Sequence, residues 1–175
     1  MFEEYLQDAY EFFEIARKAQ NDREARRYYR AAVFYTAGAI EAFTNYIADS
    51  FAKAESLTPH EIAFLNDKSL MFDPQKGGLK ERVDYHKLDE KLKVLINKFI
   101  PDFNFSSTHW SWLMELKDFR DSLVHPRQNE DETTVAEYQA KVQRGLTGVI
   151  HIINYLSEGI FTRPLRKKIL DLIPE

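Results

Sequence analysis

Arg120, Asp121 and His125 fall within Leu116-Lys117-Asp118-Phe119-Arg120-Asp121-Ser122-Leu123-Val124-His125-Pro126, and together they hold the parts of a phosphodiester reaction that needs no metal. A His titrates near neutrality and can take a proton from a ribose 2′-hydroxyl. An Arg fork can bind the scissile phosphate and neutralise the charge that grows in the transition state. Because the 2′-hydroxyl is an internal nucleophile, such a site would cut RNA and spare DNA. Asp121 stands four residues before His125, so its carboxylate can reach the imidazole on a helix, and the negative end of the helix dipole favours the cationic ring.

Helix geometry limits what one copy can do. Five residues separate the Arg from the His by about 7.5 Å along a helix axis and roughly 140° around it. The two side chains converge only if the His leaves the helix at its end, or if a second subunit supplies the partner group. Pro126 disfavours helical geometry at His125 and so predicts that the helix stops there. The plain alternative is a surface Arg beside a His that closes a helix end. Arg144 and His151 have a similar spacing, but they lie in mid-helix with Gly145 after the Arg, and we read that pair as a decoy. His60 and His86 fall at helix starts, and His109 beside Trp110 could stack a base or simply pack. None has a metal-ligand spacing, and no cofactor is expected.

The elements that would carry these residues read as helices. Phe2 to Ala19 places Tyr5, Ala9, Phe12, Phe13 and Ala16 at helical spacing among acids. Asn21-Asp22 can cap a second helix of roughly 30 residues that reaches Phe51. Arg23, Arg26, Arg27 and Arg30 lie along one side of it, either as a solvated face or as an RNA-backbone contact. Further on, Ala31 to Ile40 is small and apolar on most sides, which demands a closely packed neighbour. Glu41 and Asn45 follow at i, i+4. An acid in such surroundings costs several kcal/mol to bury unpaired, so Glu41 should meet a cation or face a polar cleft.

Thr58-Pro59-His60-Glu61 is a capping box with proline at the first helical position. Asn66 to Leu79, with Asp73-Pro74 and Gly77-Gly78, reads as the most loop-like segment, inside an excursion spanning Ser56 to Gly78. A helix is expected from about Lys87 to Phe99. Ser106-Ser107-Thr108 offers a cap for the helix that ends at Val124, whose core stripe is expected to be Trp112, Leu116, Phe119 and Leu123. Thr134 to Glu137 is a second capping box. It opens a helix to about Gly159 on the stripe Val142, Leu146, Val149, Ile153, Leu156 and Ile160. A short helix follows Pro164. No strand pattern competes, so the fold class is all-α: an antiparallel bundle of four to five main helices with short helical insertions, in one domain over 1–175.

The chain has 175 residues, 44% of them hydrophobic, a net charge of −4 and no cysteine. The charge argues against coating nucleic acid through overall electrostatics but leaves room for a local site. The lack of cysteine removes thiol chemistry, thiolate metal sites and disulfides together. Met1 to Leu6 carries acids where a signal peptide carries bases. No apolar run approaches the roughly 20 residues that cross a bilayer. The expectation is a soluble, cytoplasmic protein with no membrane partner.

Arg120-Asp121-Ser122-Leu123-Val124-His125-Pro126, on the penultimate long helix of a small all-α chain, resembles the motif of the HEPN superfamily (higher eukaryotes and prokaryotes nucleotide-binding). That motif is an Arg, four to six residues, then a His, commonly with a polar residue after the Arg. The Ala39-Ile40-Glu41-Ala42-Phe43-Thr44-Asn45 run is similar to the family's second-helix pattern. The resemblance implies a bundle that dimerises so that Arg and His of two subunits line one cleft. It also implies metal-independent endoribonuclease activity of the toxin–antitoxin or phage-defence type, with RNA as substrate and an antitoxin or nucleotidyltransferase as a partner. On this footing Arg120, His125 and Asp121 are the catalytic candidates, and Glu41, Asn45, Lys117 and Arg127 could contact RNA or support them. Arg127 stands where some members carry a Tyr that a nucleotidyltransferase modifies, which argues against that form of silencing. The other reading is a non-catalytic dimeric bundle that binds a protein or a nucleotide.

Overall fold

A computed structural model describes residues 1–51, 56–125 and 132–174. In chain order the elements are α1 (Phe2–Arg17), α2 (Asp22–Phe51), α3 (Pro59–Leu65), β1 (Lys68–Asp73), β2 (Gly78–Val83), α4 (Leu88–Phe99), α5 (Thr108–Val124), α6 (Val135–Phe161) and α7 (Lys167–Leu170). The molecule is predominantly helical and belongs to the all-α bundle class.

Aromatic pairs fix the helix directions. Phe2 packs on Phe43 and Phe13 on Tyr29, so the start of α1 lies against the end of α2 and the two run antiparallel. His109 meets His151 and Phe119 meets Tyr138, which makes α5 and α6 antiparallel in turn. Tyr29 against Tyr138 and Phe51 against Phe161 set α2 parallel to α6, as an up-down-up-down order requires. Leu6, Phe13, Ile40, Phe43, Leu113, Leu146, Val149 and Ile153 are all but sealed from water between these four helices.

The caps act where their sequences place them. Thr58 and Thr134 each accept from the backbone N–H three residues on, and Glu61 and Glu137 reach back to the cap N–H. Ser107 caps α5. Burial pushes Glu61 up, yet the N–H of Thr58 outweighs it and, with Lys98, holds the carboxyl below its ordinary value.

Two expectations are corrected. The core stripe of α5 is Trp110, Leu113, Leu116 and Phe119, while Trp112 and Leu123 are only half-buried. The cause lies on α6: a Cβ added at Gly148 would sit 2.9 Å from the His109 carbonyl oxygen and 3.0 Å from Trp112 Cβ. The bare glycine thus admits the α5 backbone itself, and the Trp112 ring is left at the edge.

The segment read as a loop is a β-hairpin. β1 and β2 pair antiparallel from Lys68 opposite Val83 to Asp73 opposite Gly78. The Asp-Pro and Gly-Gly signals mark its turn: Asp73 Oδ1 accepts from the N–H groups of Gln75 and Lys76, and Gly77 takes a positive φ of 66°. Strand alternation is weak because β2 is exposed along its whole length, so no buried face is written into it. At the base, Asp84 N–H donates to the Asp67 carbonyl at 2.8 Å.

Candidate functional site

α5 carries Arg120 one helical turn before its end, on a side facing α2. Its guanidinium is held on one side by the Glu41 carboxylate and on the other by Asp121 Oδ1 at 3.1 Å. Glu41 therefore meets the cation that its apolar neighbourhood demanded, and the pair ties the second helix to the motif-bearing one. Ala37 and Ile40 of α2, with Leu113 and Leu116 of α5, line a small apolar gap beneath Arg120. The stem of the arginine covers it.

The helix ends where Pro126 requires. Val124 is its last residue, and His125 departs from helical geometry with φ −122° and ψ 67° while its N–H still donates to the Asp121 carbonyl at 2.9 Å. The His125 side chain is exposed. Among the described residues its imidazole makes no hydrogen bond or ion pair. The expected Asp121–His125 contact is thus not formed. Asp121 turns instead to Arg120 and to Lys117, whose Nζ lies 3.9 Å from Asp121 Oδ2. Adjacent cations on the helix outcompete a histidine whose backbone has left it.

Lys117 is enclosed by acids. Its Nζ is 3.4 Å from Asp118, 3.8 Å from Asp89 and 3.9 Å from Asp121. Arg120 and Lys117 together are faced by Glu41, Asp89, Asp118 and Asp121, so the end of α5 is an ordered charge network rather than a bare basic patch. Arg127 and Pro126 lie outside the described residues.

Beside Glu41 opens a polar pocket of about 220 Å³, lined by Glu41, Thr44, Asn45, Asp67, His86, Leu88 and Lys91. Here the sequence reading missed two groups. His86, taken only as a helix neighbour, stacks on Phe64 with ring centres 3.8 Å apart, and its Nε2 is buried without a hydrogen-bond partner. The nearest carboxylate oxygen to that nitrogen, on Asp84, is 3.9 Å away. Lys91 is a buried lysine on α4 that donates to Asp67 Oδ2 at 2.7 Å, while Asp67 Oδ1 accepts from the His86 N–H at 2.9 Å. Burial pushes the Asp67 carboxyl up, but the His86 N–H and the Lys91 ammonium prevail and hold it below its ordinary value. Asp67 itself has a left-handed φ of 56°. Lys91, in line with Leu88 and Leu95 at helical spacing on the core face of α4, was the available sequence signal for a buried acid partner.

The remaining histidines are elsewhere. His109 and His151 stack with ring centres 3.8 Å apart, and burial, followed by the charge of His109, lowers the pKa of His151. Arg144 pairs with Glu115 at 2.7 Å, so the Arg144/His151 pair is divided between two structural contacts. Trp110 is buried and His60 exposed. Among the described residues no group of His, Asp and Glu could hold a metal ion, and no helix is long and apolar enough to cross a membrane.

No family model, curated protein or solved structure matches this chain. The chemistry of its own residues is what the functional reading rests on.

Proposed function

We propose that this chain is a metal-independent endoribonuclease of HEPN type whose active site is completed by a second copy. The reading rests on one arrangement: an exposed imidazole at the end of α5, without a partner among the described residues, following a guanidinium that Glu41 and Asp121 brace in place. A fixed guanidinium loses little rotamer freedom when it takes up a phosphate, and an imidazole with no partner among the described residues offers its nitrogens for proton transfer.

In the dimer, one His125 takes the proton from the 2′-hydroxyl as its oxygen attacks phosphorus. The partner's His125 gives a proton to the departing 5′-oxygen. The products are a 2′,3′-cyclic phosphate and a 5′-hydroxyl, and Arg120 stabilises the added negative charge between them. Asp121 positions Arg120 and Lys117 in this scheme rather than His125.

Cleavage of labelled single-stranded RNA tests the reading. We expect activity to persist in EDTA, to fall about 10²–10⁴-fold in His125→Ala and about 10²–10³-fold in Arg120→Ala. Full activity of His125→Ala, or abolition of cleavage by EDTA, overturns it.

A second reading has an observation of its own. The four carboxylates around Arg120 and Lys117 offset their charge, which suits a non-catalytic module better than a phosphate clamp. Absence of cleavage at every pH, with a stable dimer in solution, favours this alternative.

A further inference from the structure

The pocket beside Glu41 collects hydrogen-bonding groups that the fold itself leaves unused. His86 Nε2 is buried and makes no hydrogen bond among the described residues, with the Asp84 carboxylate 3.9 Å away. Glu41 gives one oxygen to Arg120, and among the described residues its other oxygen accepts nothing. Asn45, one turn further along α2, lines the same pocket, and its amide likewise makes no hydrogen bond among the described residues. The neighbouring Asp67 and Lys91 line the same pocket and already serve each other: Lys91 Nζ donates to Asp67 Oδ2, and the backbone N–H of His86 donates to Asp67 Oδ1. They act as a brace that holds the His86 backbone. A buried polar group without a hydrogen-bond partner calls for an explanation.

Shape narrows the occupant. At about 220 Å³ the space is smaller than the roughly 300–1,000 Å³ of drug-sized ligand sites, and it is open on one side. That size admits a single heterocycle rather than a larger ligand. Chemistry narrows it further. A carboxylate oxygen can only accept, so the occupant must present at least one donor to it, while the amide and the imidazole nitrogen can meet either a donor or an acceptor beside that group. The Watson–Crick edge of a nucleobase has that pattern. The pocket also shares Glu41 and Leu88 with the surroundings of Arg120: Glu41 grips the guanidinium, and Leu88 lines the gap beneath it.

We infer that the pocket formed by Glu41, Asn45 and His86 receives one unpaired nucleobase of the RNA while Arg120 takes the adjoining phosphate. The inference rests on the ribonuclease reading for the identity of the ligand as RNA. Unstacked bases of single strands are read on this edge by side chains of these types. The hairpin gains a role: β1 and β2 close at Asp67 and Asp84, and that closure carries His86 over the pocket. A base held here would fix the register of the strand, so cleavage would favour one side of a preferred nucleotide.

Equilibrium binding to the intact protein tests this without cleavage. Guanosine 5′-monophosphate is the probe, because its base edge offers two adjacent N–H positions and one carbonyl. Ribose 5-phosphate is the comparison, because it keeps the sugar and phosphate alone. We expect the nucleotide to bind at least about tenfold more tightly than ribose 5-phosphate, the effect of one or two additional hydrogen bonds. Asn45→Leu, on an exposed position, and His86→Phe, which keeps a ring on Phe64, should each erase most of that difference. Equal binding of the two probes, or a difference unchanged in both variants, overturns the inference. If RNA is cleaved and the probes bind alike, the base pocket fails and the ribonuclease reading stands. If the nucleotide binds selectively and no RNA is cut, the pocket stands and the ribonuclease reading fails.

Discussion

Replacing Gly148 with alanine should destabilise the protein even though alanine is the better helix former. In the interior of α6 the exchange would gain about 0.8–1 kcal/mol from propensity alone. Against this, the new Cβ would lie 2.9 Å from the His109 carbonyl oxygen, 3.0 Å from Trp112 Cβ and 3.1 Å from the Leu113 nitrogen. Two of these atoms are backbone, so relief requires α5 to move as a unit, and overpacking of that kind typically costs about 1–3 kcal/mol. The net expectation is a loss of about 1 kcal/mol, or roughly 2–4 °C in Tm for a chain of this size. Gly38→Ala supplies the control on α2. Its Cβ would meet only the Tyr5 ring, at 3.4 Å, which is ordinary contact, so the propensity gain should survive and Tm should rise by about the same amount. Thermal unfolding followed by far-UV circular dichroism reads both variants. A Gly148→Ala protein as stabilised as Gly38→Ala would refute the claim that a glycine contact sets the approach of α5 to α6.

The charge network and the buried histidine yield further tests. Asp121→Ala removes a carboxylate from Arg120 and Lys117 but not from His125, so RNA should bind more tightly while the pH dependence of kcat/KM keeps its shape. A displaced acidic limb would instead mean that Asp121 tunes the imidazole. His151, whose pKa is lowered first by burial and then by His109, makes stability depend on pH in a definite direction. Above the ordinary histidine value of 6.5 both folded and unfolded states hold it neutral. As pH falls through that value the unfolded chain takes the proton first, so stability is lost until the folded-state pKa is passed. Tm should therefore decline across this window, and His151→Phe should flatten the decline. An equal slope in the variant would assign it to other groups.

The helices, their caps and the end of α5 at His125 follow from sequence because each depends on neighbours within a turn. Threonine capping boxes, a proline one residue past a helix and apolar positions every three or four residues act locally. Glu41 illustrates the limit of such reasoning. Its need for a cation was legible from the small apolar residues before it, but the cation that answers it, Arg120, is 79 positions away. The hairpin escaped because its strands bury no face that would enforce alternation, leaving only turn residues that also read as a loop. The exchange of His125 for Arg120 and Lys117 as partners of Asp121 was decided where the backbone leaves the helix.

Glu41 and Asn45 could be paired on α2 from sequence, but the pocket they line is assembled by tertiary structure. The His86 backbone is held by Asp67 and its ring by Phe64, Asp67 is held by Lys91, and Glu41 and Asn45 lie across from them on α2. No local pattern announces a site assembled from a hairpin base and two helices. The sequence by itself determined that this chain would be a helical bundle with an Arg and a His near one helix end, since periodicity and capping are short-range effects. Only the packing of α2, α4 and α5 decided which acids hold that Arg and which polar groups are left facing a common space, because those contacts join residues that the chain keeps far apart.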